Sequence, residues 1–149
     1  MIRKAKIQDI KKIQELINSF ASKDLMLPRS LNELYENIRD FWVCEKNRKI
    51  AGCCALHVSW DNLAEIKSLA VTKSRHKQGV GRELVEVCLK EAKEIGAKRV
   101  FVLTYVQGFF RKFGFKRVKN TDLPHKIWAE CINCCKFPNC QEVAMVKQL

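Results

Sequence analysis

Leu69-Ala-Val-Thr-Lys-Ser-Arg-His-Lys-Gln-Gly-Val-Gly-Arg-Glu-Leu84 is the stretch whose reading decides the fold. An apolar strand runs out, a basic turn follows, two glycines stand one residue apart, and a helix begins. A turn of this kind leaves backbone N–H groups pointing outward at the positive end of a helix dipole, and glycine lets a phosphate approach the backbone. Lys77, Gln78, Gly79, Val80, Gly81 and Arg82 would form that anion cradle. The helix then carries Leu84, Val85, Val87, Cys88, Leu89, Ala92 and Ile95 toward a core. A P-loop would need Gly-Lys-Ser/Thr after a longer loop, and a dinucleotide fingerprint would need a third glycine. Here Gly79-Val-Gly81 is followed by Arg82, Glu83 and Leu84. Taken alone, the loop also reads as a glycine-rich turn opening an ordinary helix.

The chain has 149 residues, enough for one domain that buries roughly two-thirds of its unfolded surface. A hydrophobic content of 47%, with six glycines and three prolines, argues against disorder. No apolar run approaches the roughly 20 residues that span a bilayer, and the N-terminus reads as a strand rather than a signal peptide. A cytoplasmic protein without a membrane partner is the expectation. The net charge of +12 points to an anionic ligand. Its Lys and Arg residues are scattered, with no aromatic RNA-binding motif and no zinc-finger spacing, which argues against nucleic acid.

Eight cysteines without an export signal read as reduced thiols. Cys44, Cys53, Cys54 and Cys88 fall on apolar faces as small hydrophobes. Cys131, Cys134, Cys135 and Cys140 lie close together, spaced C-x2-C-C-x4-C. Tetrathiolate zinc sites combine two separated CxxC knuckles, so packed free thiols are expected here and a bound metal is the alternative.

Along the chain, residues 1–7 alternate as a strand, and Asp9 is placed to cap a helix carrying Ile10, Ile13, Leu16, Ile17 and Phe20. Ser30-Leu-Asn-Glu33 is a capping box opening a short helix through Ile38. Phe41–Glu45 and Ile50–Ser59 form a hairpin around Asn47-Arg-Lys49, and Leu63–Val71 is the next strand. The helix of residues 80–95 stops at Gly96, and Arg99–Leu103 follows as a doubly buried strand, completing a right-handed βαβ unit. A short helix around Gly108–Phe113, a strand from Phe115, an irregular stretch 124–141 and a closing strand 142–148 complete the chain. The expectation is a single α/β domain over 1–149, a mixed sheet flanked by helices, with a Cys-rich segment at 123–149.

That order, with the loop His76-Lys-Gln-Gly79-Val-Gly81 and the segment Phe109-Phe-Arg-Lys-Phe-Gly-Phe115, resembles the GNAT family of N-acetyltransferases. His76 stands where the family carries Arg or Gln, and Phe110 where it carries a general-acid Tyr. Within the family the chain is most similar to short stand-alone N-acetylglutamate synthases. The matching phrases are Leu27-Pro-Arg-Ser30, Ala51-Gly-Cys-Cys-Ala-Leu56, Glu65-Ile-Lys-Ser-Leu-Ala-Val71, Val102-Leu-Thr104 and the ending from Leu123 to Cys140. The resemblance implies acetyl-CoA as co-substrate, L-glutamate as small-molecule acceptor at the start of arginine synthesis, and direct transfer in a ternary complex. The sequence leaves the oligomeric state open, with a homodimer among the alternatives.

It also implies roles. The pantetheine arm would lie as a pseudo-strand against Leu69, Ala70 and Val71, with a backbone N–H there facing the oxyanion. Phe109 and Phe110 would pack on the pantetheine. Glu65 would remove a proton from the substrate ammonium through water, its alternative being a solvent-facing acid in an alternating strand. Tyr105 could stand in for the missing general acid. Arg29 and Lys126 would meet the substrate carboxylates, the alternative for Arg29 being a surface residue beside a helix cap. The fused bacterial synthases carry an Arg-Ser pair where this chain has Tyr105-Val-Gln107. The competing readings are a GNAT enzyme for another amine, such as another amino acid or a protein N-terminus, and a non-catalytic acyl-CoA-binding module.

Overall fold

The strands, in chain order, are β1 (Ile2–Lys4), β2 (Phe41–Lys46), β3 (Lys49–Trp60), β4 (Leu63–Val71), β5 (Arg99–Thr104), β6 (Lys116–Val118) and β7 (Val143–Gln148). The helices are α1 (Ile10–Ala21), α2 (Leu31–Glu36), α3 (Val80–Glu94) and α4 (Gln107–Arg111). These elements come from a computed structural model that describes residues 1–23, 26, 28–76, 78–119, 122–123 and 142–149. The strands form one sheet in the order β1-β2-β3-β4-β5-β7-β6, an α/β fold with helices on both faces. Among the described residues only β4 and β5 run parallel, and α3 is the crossover between them. Among the described residues no helix is long and apolar enough to cross a membrane.

Alternating side chains divide the core by face. On one face Ile10, Ile13 and Ile17 of α1 and Leu34 of α2 pack with Val43, Cys53, Ala55 and Ala70 of the sheet. On the other, Val80, Leu84, Val85, Cys88 and Ala92 of α3 pack with Cys54, Leu56, Ala64, Ile66, Val100 and Val102. Gly52 permits the close seat of α3. A Cβ there would stand 3.0 Å from Val80 Cγ1 and 3.1 Å from Leu84 Cδ1. Ile95, expected in the core, is 53% exposed because it lies just beyond the last turn of α3.

The N-terminal strand is shorter than its alternation suggests, because a 3-10 turn at Ile7–Asp9 interrupts it. Asp9 does not cap α1 with its side chain. Its carboxylate instead accepts the Lys6 N–H at 2.7 Å and both ends of the Arg3 guanidinium at 2.7 and 3.1 Å. Ser30 does cap α2, its oxygen accepting the Glu33 N–H at 3.1 Å, but Glu33 pairs with Arg29. The helix ends at Glu36, two residues before Ile38, where a 3-10 turn takes over.

The hydrogen bond from Arg3 holds the Asp9 carboxyl below its ordinary 3.8, against the opposing pull of burial and with help from the Lys6 N–H. A carboxyl depressed in the fold contributes stability above its unfolded value and loses it as pH falls through the folded one. Asp9→Asn is therefore expected to cost about 1.5–3 kcal/mol at neutral pH. Below pH 3.8 its melting temperature should fall less steeply than wild type. Parallel acid-side slopes in thermal melts would exclude this ion pair as a source of acid sensitivity.

Candidate functional site

β4 and β5 pair only through Leu63↔Arg99, Ala64↔Val100 and Glu65↔Phe101. Beyond Glu65 the strands part, and a cavity of about 730 Å³ lies in the opening. Ile66–Val71 and Val102–Thr104 both line it, so no strand of the described residues pairs with the β5-facing edge of β4 there. An open edge beside a cavity of this size accepts an extended chain bearing amide groups.

The edge contains a bulge. Ser68 adopts a left-handed backbone with φ 56°, and the register to β3 slips between Cys53↔Ala70 and Ala55↔Lys67. For a residue other than glycine this conformation costs on the order of 1–2 kcal/mol. It inserts one residue and reverses the side-chain alternation. Ahead of it, Ala64 and Ile66 face α3; beyond it, Leu69 and Val71 do. Ala70 turns to the α1 face. Cys53 Sγ reaches the Ser68 carbonyl at 3.4 Å, and the Ser68 hydroxyl is buried without a hydrogen-bond partner.

The glycine turn closes one end of the cavity. Gly79 is the N-cap of α3 with φ 81°, a left-handed conformation natural to glycine. Gly79, Val80, Gly81 and Arg82 all line the cavity at the start of this 15-residue helix, where free N–H groups and the dipole favour an anion. His76 braces the turn. Its Nε2 lies 2.8 Å from the Val71 carbonyl, and its ring stacks on Phe20 of α1 with centroids 6.2 Å apart. Gln78 lies outside the cavity wall, donating to the Ser74 carbonyl at 3.2 Å and accepting from Arg75 at 3.3 Å. Lys77 is outside the described residues.

Across the cavity, α4 presents Phe109 and Phe110, which meet edge to face at 5.0 Å. Phe113 and Phe115 extend the cluster, with centroids at 5.2 and 5.4 Å. Phe110 is buried and carries no hydroxyl, while Tyr105, at the end of β5, lines the cavity and is partly exposed. Arg75, Lys112, Thr104 and Met26 also line it, and the sequence reading assigned none of them a role. Phe20 continues the apolar stripe of α1 and so read as core rather than as cavity wall.

Glu65 is not part of the cavity wall. It is the last β4 residue paired to β5, and its β3 partner is His57. Alternation sends Glu65 and Lys67 to the α1 and α2 face, which also carries Ala55. His57 Nδ1 lies 2.6 Å from Asp40 Oδ2. That hydrogen bond raises the His57 pKa, burial and Lys67 oppose it, and the charges of Asp40 and Glu65 assist. Arg29 also lies on this side of the sheet but does not line the cavity. Its Nη1 meets Glu33 at 3.1 Å, and its Nε is buried without a partner. Lys126 and the four cysteines from Cys131 to Cys140 are outside the described residues.

Among the described residues no group of three or more His, Cys, Asp or Glu side chains is placed to hold a metal ion. Cys44, Cys53, Cys54 and Cys88 are free and buried. Burial pushes the Cys53 thiol up to about 12, which favours the protonated thiol over the nucleophilic thiolate.

The Acetyltransferase (GNAT) family pattern matches residues 7–115. An uncharacterised N-acetyltransferase of Chlorobaculum tepidum is 40% identical over 148 residues, 99% of this chain and 96% of that one. An amino-acid acetyltransferase of Mycobacterium tuberculosis is 35% identical over 133 residues, 87% of this chain and 76% of that one. The N-acetylglutamate synthase of Neisseria gonorrhoeae, solved with coenzyme A and N-acetyl-glutamate, superposes with a TM-score of 0.92 at 26% identity. That match covers 100% of this chain and 35% of the synthase.

Proposed function

The chain belongs to the Acetyltransferase (GNAT) family and uses acetyl-CoA as its acyl donor; from that premise we propose that the acceptor is L-glutamate, acetylated on its α-amine. Acetylation of this amine would open the route to arginine. The observation that carries the reading is Arg29, a largely buried guanidinium whose Nε is without a partner. It stands on the sheet face to which Glu65 projects. A dicarboxylate acceptor calls for such a charge-assisted contact. The likeness to an amino-acid acetyltransferase and to an N-acetylglutamate synthase supports it.

In this reading the pyrophosphate of acetyl-CoA rests on Gly79–Arg82, with Lys77 and Gln78 flanking it. The pantetheine lies along the open edge of β4 over Phe109 and Phe110. A β4 backbone N–H between Leu69 and Val71 donates to the thioester oxygen as it gains charge, without reorganising at the moment of reaction. The α-ammonium of glutamate is mostly protonated at neutral pH, so Glu65 removes a proton through water before attack. The nitrogen forms its bond to the acetyl carbon, the carbon–sulfur bond breaks, and the nitrogen sheds a second proton as the amide forms, which returns through water to the phenolate left on Tyr105. Tyr105 protonates the departing sulfur, a modest task because a thiol of pKa about 8.5 is already a tolerable leaving group.

Free CoA release across a panel of amino acids and amines tests the acceptor. Glutamate is expected to turn over fastest. Turnover of a cationic amine with none of glutamate would remove the substrate assignment and leave the family standing.

Arg29→Ala sharpens the test. The Arg29 backbone is held independently, its carbonyl by Gln14 at 3.2 Å and its N–H by Asn18 at 3.3 Å. The lost pair with Glu33 is a helix-end contact worth about 0.3–0.5 kcal/mol. Loss of a substrate carboxylate contact should cost about 1.5–3 kcal/mol, or roughly ten- to a hundredfold in kcat/KM for glutamate. Acetyl-CoA affinity should be unchanged; equal loss of both would make Arg29 structural.

A further inference from the structure

His57 and Asp40 form a hydrogen-bonded pair that the transfer chemistry described above leaves unused. His57 stands on β3 directly across from Glu65 of β4. Cross-strand partners share a face, with Cβ atoms about 4.5–5.5 Å apart. Asp40 ends the turn at Ile38–Asp40 ahead of β2 and holds His57 Nδ1 at 2.6 Å. A carboxylate only accepts hydrogen bonds, so Nδ1 carries the proton and Nε2 of the neutral ring is left as an acceptor. The imidazole is 37% exposed, which gives it contact with solvent.

We propose that His57, oriented by Asp40, is a positioning and relay residue that carries to solvent the proton Glu65 removes from the acceptor. The relay rests on the assignment of Glu65 as base. Its balance is simple. The substrate ammonium gives a proton through water to Glu65, and the neutral amine attacks. Glu65 returns to its carboxylate by passing that proton to Nε2 of neutral His57. The imidazolium then releases it to bulk water, while the second proton of the nitrogen, lost as the amide forms, replaces the one that Tyr105 gives the CoA sulfur. The charged groups facing His57 are Asp40, Glu65 and Lys67. Asp40 raises the basicity of the ring and thus its readiness to accept, and Lys67 limits the effect.

The test compares kcat against pH for wild type, His57→Gln, Asp40→Asn and Glu65→Gln, using the amine that turns over fastest in the panel. His57→Gln keeps a side-chain donor and is expected to lower kcat about tenfold at neutral pH, with KM for acetyl-CoA unchanged. Imidazole added to the buffer should restore its rate in proportion to concentration. In Asp40→Asn the ring loses the partner that raises its pKa, so it stays neutral to lower pH. The acid limb of kcat should therefore move to lower pH. An unshifted limb in Asp40→Asn, or a His57→Gln defect indifferent to imidazole, would overturn the relay and mark the pair as structural. A slow Glu65→Gln beside a normal His57→Gln also overturns it and leaves the base in place. A fully active Glu65→Gln removes the base and the relay together.

Discussion

Gly81→Val is expected to abolish acetyl-CoA binding while the protein melts close to the wild-type temperature. A Cβ on Gly81 would meet the Phe109 ring at 3.6 Å and Val71 Cγ2 at 3.7 Å, ordinary contacts that the fold accommodates. The branched methyl groups beyond it would project into the cavity at the first turn of α3, where the proposed function seats the pyrophosphate. Loss of affinity beyond about a hundredfold, near 2.7 kcal/mol, is the expected reading by calorimetry. Gly79→Ala is the useful contrast. Nothing lies within 4 Å of its added Cβ, but the residue is left-handed, so strain rather than obstruction is introduced. Wild-type affinity in Gly81→Val would dislodge the pyrophosphate from this turn.

Glu65→Gln is expected to slow turnover by about a hundredfold at pH 7 and to recover in part as pH rises. The sign follows from the acceptor. At higher pH more of the amine is already neutral, and the base has less to do. The amide keeps nearly the volume of the carboxylate, so the strand pairing with Phe101 and His57 is preserved. A defect of equal size at every pH would assign Glu65 a structural role.

Both predictions begin from features that the order of residues makes visible. The turn at Gly79-Val-Gly81 is legible because left-handed caps and close approaches select glycine. The stripe Ile10, Ile13 and Ile17 is legible because burial recurs with the helix period. What escapes is set by contacts between distant segments. The parting of β4 from β5 after Glu65 has no local signature, since Ile66–Val71 has the composition of a fully paired strand. Nothing in Ser68 announces a left-handed residue, so the reversal of alternation was not readable. Asp40 and His57 are separated by 17 positions. Their meeting depends on register, and a one-residue slip would send His57 to the other face. Asp9 shows the opposite failure. A residue with the right chemistry for a helix cap found a better partner in Arg3.

The bulge at Ser68 makes one strand an edge shared by two independent surfaces. Ahead of it, Glu65 and Lys67 point to the face of α1 and α2; beyond it, Leu69 and Val71 point to the face of α3. Residues that would touch the amine and residues that would touch the acyl carrier are thus close in the chain yet separated by the thickness of the sheet. Under the proposed function, contacts to the acceptor and contacts to the acyl carrier would both be drawn from seven consecutive residues of β4, from Glu65 to Val71. A regular strand would deny that division, because every odd-numbered residue along it would answer to the same surface.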